Sequence, residues 1–67
     1  MTKAEKDSLI EGTHEVERLF RRLFACLECS NLYGAMKYTY LLKYTAMQLE
    51  DKMMLIHMAL EAKNKDE

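Results

Sequence analysis

The chain has 67 residues, 49% of them apolar and 31% charged, and its ten Lys and Arg nearly cancel eleven Asp and Glu. That length supports a single domain with a small core, and the apolar share excludes a disordered chain. A near-neutral balance without a basic run argues against nucleic-acid or anionic-membrane binding, and no apolar run approaches the ~20 residues of a membrane span.

The opening Met1-Thr2-Lys3-Ala4-Glu5-Lys6-Asp7 lacks the apolar stretch of a secretory signal. Two cysteines without such a signal fit a reducing cytosol better than a disulfide framework, so a cytoplasmic location is expected. Strand signals are sparse: Ile10, Val16, Ile56 and four threonines are the only β-branched residues, whereas Met, Leu, Ala, Glu and Lys dominate.

Thr2-Lys3-Ala4-Glu5 has the form of a capping box, which starts a first helix at about residue 3. Gly12-Thr13 predicts a kink or break in that helix. From Leu9 onward, Leu9, Val16, Phe20, Leu23 and Leu27 follow the 4-3 spacing of a coiled-coil seam, with Thr13 in the same register. Ile10, Leu19, Phe24 and Cys26 widen the seam on both flanks. Glu11 and Glu15 can meet Arg18 and Arg22 across the opposite face.

The periodicity lapses after Cys29, and residues 30–34 read as a turn built on Ser30, Asn31 and Gly34. A connection that short predicts an all-α, antiparallel two-helix hairpin, coiled-coil-like, with helices over about 3–29 and 35–62 and a polar tail over 63–67. In the second helix Leu42, Ala46, Leu49, Met53, Ile56 and Leu60 repeat the 4-3 step and complete the expected hairpin core, flanked by Tyr38 and Ala59.

A second stripe, Tyr40, Leu41, Tyr44, Met47, Met54, Leu55 and Met58, centres well over 100° away. A single neighbouring helix does not cover both sides. Met is adaptable and Tyr is apolar with a polar tip, so these seven are the expected partner-binding residues. Three coverings are open: residues 2–10 folded back as a third helix, a second copy in a four-helix bundle, or a different protein.

No catalytic residue, metal ligand set or cofactor is expected. Cys26-Leu27-Glu28-Cys29 has C-x-x-C spacing, but tetrahedral zinc needs two more ligands and His14 lies 12 residues, ~18 Å of helix, from Cys26. Cys26 reads as a small buried hydrophobe and Cys29 as an exposed thiol. Arg18, Arg21 and Arg22 could clamp a phosphate, but Glu11, Glu15, Glu17 and Glu28 surround them. A thin hairpin also lacks the enclosed pocket that His57 with Glu50 or Glu61 would need for acid–base chemistry.

Met1-Thr2 with Glu5, Gly12-Thr13-His14 leading into a long amphipathic helix, Gly34 near the turn, and Leu49-Glu50 followed by Met53, Leu55, Ile56 and His57 carry a resemblance. Across most of its length the chain resembles the small E-type co-chaperones of the type III secretion needle subunit, which are cytosolic bacterial hairpins. The turn here is shorter and less basic, and Tyr38, Tyr40 and Tyr44 are unusually dense. The resemblance implies that the hairpin docks on and stabilises a tetratricopeptide-like chaperone. That chaperone would hold the needle subunit in its groove so that it does not polymerise early. Self-association of the isolated chain is also expected.

The rival reading is a homodimeric four-helix-bundle regulator that binds nucleic acid. It would need a basic stripe, and Lys37 and Lys43 are the only cations in the first half of the second helix.

Overall fold

The structure, a computed structural model, describes residues 1–65. Two helices, α1 over Lys3–Glu28 and α2 over Leu32–Lys65, account for nearly all of them, and no strand occurs among the described residues. They pack side by side as a hairpin blade of 56 × 18 × 11 Å. The all-α hairpin expected from periodicity is the fold.

The capping box forms as the sequence predicts. Thr2 Oγ1 accepts from the Glu5 backbone N–H at 3.1 Å, and Glu5 Oε1 accepts from the Thr2 N–H at 2.8 Å. Two of the orphan donors at the start of α1 are thereby satisfied.

The predicted break at Gly12 does not occur, because α1 runs through it without interruption. Glycine in a helix interior costs only about 1 kcal/mol, and here its missing side chain is needed. A carbon built onto Gly12 would meet Leu49 Cδ1 at 2.6 Å.

The connection is shorter than expected. Ser30 has φ 58°, a left-handed conformation. The Ser30 N–H donates to the Leu27 carbonyl at 3.1 Å, and the Asn31 N–H donates to the Cys26 carbonyl at 2.8 Å. This Schellman pair closes α1. Asn31 then opens α2: its Oδ1 accepts from the Gly34 N–H at 2.9 Å and its carbonyl accepts from the Ala35 N–H at 3.0 Å. An Asn at the N-cap explains why α2 begins at Leu32 and not at Ala35. At its other end α2 continues through Lys63, Asn64 and Lys65, which the sequence reading placed in a polar tail beyond the helix. Lysines near a helix C-terminus complement its dipole. Asp66 and Glu67, the rest of that tail, lie outside the described residues.

The seam shares one row per helix with the expectation and differs in its companion. Leu9, Val16 and Leu23 on α1, and Leu42, Leu49 and Ile56 on α2, are half-buried. The second row, however, sits three residues on from the first, not four. On α1 it is Gly12, Leu19 and Cys26, with Leu19 only 4% exposed. On α2 it includes Tyr38 and Thr45, both half-buried, while Ala35, 3% exposed, extends the first row. Phe20, Leu27, Ala46, Met53 and Leu60, all expected in the core, are exposed instead, Phe20 by 57% and Leu27 by 54%. The reason is closeness of approach. Rows containing Gly12, Ala35 and Thr45 bring the backbones together, whereas bulky Phe20 and Met53 would hold them apart.

Candidate interaction surface

Because α1 and α2 are the only elements among the described residues, each helix has one side in the seam and the rest outside it. Heptad geometry sorts the outside into two broad faces and two edges. One broad face is polar: Ser8, Glu11 and Glu15 from α1 meet Thr45, Gln48 and Lys52 from α2 along a shallow groove. The other carries Phe20, Phe24 and Leu27 from α1 beside Leu32 and Met36 from α2, all exposed.

The seven residues of the sequence-predicted stripe do not all fall on that apolar face. Tyr40, Met47 and Met54 run along the outer edge of α2, Tyr44 and Met58 turn toward the polar side, and Leu41 and Leu55 stand close to it. Six of the seven are exposed, Tyr40 by 72%, whereas Leu41 is half-buried. Tyr40, Tyr44 and Met47 come together with Lys43 around a small depression. Leu55 lies with Leu9 and Ile56 in a separate hollow toward the open end of the hairpin. The stripe is thus divided between the middle and the far end of α2.

Sequence reasoning missed Leu32 and Met36, which it assigned to the turn or left unassigned, and it placed Phe20 and Leu27 inside. Leu27, Leu32 and Met36 line one apolar groove at the turn end of the blade together with Leu23, Ala35 and Tyr40, and exposed Phe20 lies outside that lining. Thr39 lies in the same groove, with its hydroxyl donating to the Ala35 carbonyl at 2.8 Å. The missed signal was the surplus of large apolar residues on both helices near the turn.

Three exposed ion pairs lie beyond the groove among the described residues. Arg18 meets Glu15 through two hydrogen bonds, at 2.6 and 3.2 Å, and Arg21 meets Glu17 at 2.6 Å. The Arg18 guanidinium holds the Glu15 carboxyl below its ordinary value, and the Thr2 backbone N–H and hydroxyl do the same for Glu5. His57 Nε2 lies 3.0 Å from Glu61 Oε1 on an exposed turn of α2. Cys26 is half-buried beside Gly34 and Cys29 is exposed; both are free thiols. No cluster of three metal-binding side chains occurs among the described residues. No helix among them is long and apolar enough to cross a membrane.

No protein-family model, curated protein or solved structure matches the chain.

Proposed function

We propose that this chain is a protein-interaction module, a cytoplasmic co-chaperone of the type III secretion needle-subunit kind, which completes its folding surface against a larger helical protein. The single observation that carries the reading is the imbalance of burial. Among the described residues only Leu19 and Ala35 are buried, while sixteen large apolar side chains stand exposed. Burying each of the larger ones contributes roughly 1.5–3 kcal/mol, and patches of this kind on small chains mark interaction sites. The resemblance in Gly12-Thr13-His14 and Leu49-Glu50 supports the choice of partner: a tetratricopeptide-like chaperone and, through it, the needle subunit.

The test is co-expression with a needle subunit and its tetratricopeptide chaperone, followed by purification on a tag carried by the chaperone. The expected result is a stable ternary complex that Tyr44→Asp or Met47→Asp abolishes while helicity by circular dichroism is unchanged. Failure of the unaltered chain to co-purify, or complexes unaffected by both substitutions, sinks the reading. Under the rival nucleic-acid reading, Arg18 and Arg21 are already held by carboxylates, which leaves Arg22, Lys37 and Lys43 as the cations of the turn half without an ion-pair partner among the described residues.

A further inference from the structure

Charge is distributed unevenly along the blade. Residues 15–48, the turn half of the hairpin, contain five cations, Arg18, Arg21, Arg22, Lys37 and Lys43, and three acids, Glu15, Glu17 and Glu28, of which Glu15 and Glu17 are paired with Arg18 and Arg21. The remaining residues contain five cations and eight acids. The apolar groove lies wholly in the cationic half. Its one charged lining residue is Lys43, which also borders the neighbouring depression beyond Tyr40. No carboxylate lines either hollow, and among the described residues Lys43 has no ion-pair partner.

From this juxtaposition we infer that the turn-end groove docks an amphipathic helix whose apolar stripe is flanked by carboxylates. Its apolar side chains lie against Leu27, Leu32 and Met36, and a carboxylate pairs with Lys43 beside Tyr40. The groove supplies the burial, and Lys43 supplies register and selectivity, because like charges brought to an interface are disfavoured. A helix suits the site because the groove runs between two helices and offers a third helix the ridges of both. This inference rests on the interaction-module reading and deepens it by giving the chemistry of the partner segment.

The test uses two labelled synthetic peptides, both helical with the same leucine stripe, one flanked by glutamates and the other by lysines. Binding to the full chain is followed by fluorescence anisotropy at low and high salt. The expected result is that the glutamate peptide binds at least about tenfold tighter at low salt, with a preference that shrinks as salt rises. Lys43→Glu reverses the preference and Lys43→Gln reduces it, with circular dichroism unchanged for both exposed-site variants. Equal binding of the two peptides, or no effect of either substitution, overturns the inference. So does sedimentation showing a dimer that the peptide does not displace, which assigns the groove to a second copy. Binding to phosphatidylglycerol vesicles without binding to either peptide overturns it as well. If the needle chaperone fails to co-purify while the peptides still discriminate, the co-chaperone reading falls and the docking chemistry stands.

Discussion

Gly12 and Leu49 meet so closely that a single carbon added to the glycine would lie 2.6 Å from Leu49 Cδ1. This contact sets the spacing of the two arms midway along α1, and it predicts energetic coupling. Gly12→Ala gains up to about 1 kcal/mol of helix propensity but forces Leu49 aside. In a double-mutant cycle with Leu49→Ala, measured by urea unfolding, the pair should couple by at least about 0.5 kcal/mol. The double variant should be more stable than the two single effects add up to, and additivity would mean that the arms are not in contact here.

The seam register makes an equally direct prediction for neighbouring residues. Leu19 is 4% exposed and Phe20 is 57% exposed. Leu19→Ala should cost about 2–5 kcal/mol, whereas Phe20→Ala should change the stability of the isolated chain by less than about 1 kcal/mol. Thermal or urea denaturation decides it, and a larger loss at Phe20 would return the seam to the four-residue step.

At the turn, Ser30 holds a left-handed backbone conformation that costs an L-residue roughly 1–2 kcal/mol. Ser30→Gly should therefore stabilise the hairpin, by up to about 1 kcal/mol once the greater freedom of the unfolded glycine chain is subtracted. A lowered melting temperature in this variant would show that the serine side chain contributes something the backbone geometry does not.

The start of α1 gives a pH-dependent prediction. The Thr2 N–H and hydroxyl hold the Glu5 carboxyl below its ordinary value, so the folded state binds its proton less readily than the unfolded chain. The resulting stabilisation is complete above the ordinary glutamate value and is lost as pH falls through the lower, folded one. Glu15 beside Arg18 behaves in the same sense. Helicity by circular dichroism should fall on acidification, and less steeply in Glu5→Gln. Thr2→Ala should cost about 1 kcal/mol at neutral pH.

Much of this fold was legible in the residue pattern. The capping box, the two long helices and the antiparallel turn all follow from local chemistry, as does one seven-residue row on each arm. The companion row was not legible, because counting apolar residues favours Phe20 and Leu27 over Gly12 and Cys26. Close packing reverses that choice: the rows that let two backbones approach win, and the larger side chains are left outside. Gly12 misled for the same reason, since its small size reads as a breaker along the chain and acts as a contact across it. The candidate surface was half legible. The Tyr40, Tyr44 and Met47 edge showed in the periodicity, but the groove of Leu27, Leu32 and Met36 depends on where α2 begins. Asn31 sets that start by a cap that residue counting did not weigh.

Asn31 ends one helix and begins the other, since its N–H closes the last turn of α1 and its side chain and carbonyl open the first turn of α2. A link of this kind has no slack. The arms have no room to slide past one another by a turn, nor to swing apart, without undoing both terminations together. On the proposed reading, a binding partner would meet a stiff wedge of fixed alignment, and the ordering cost of association would fall on the other molecule.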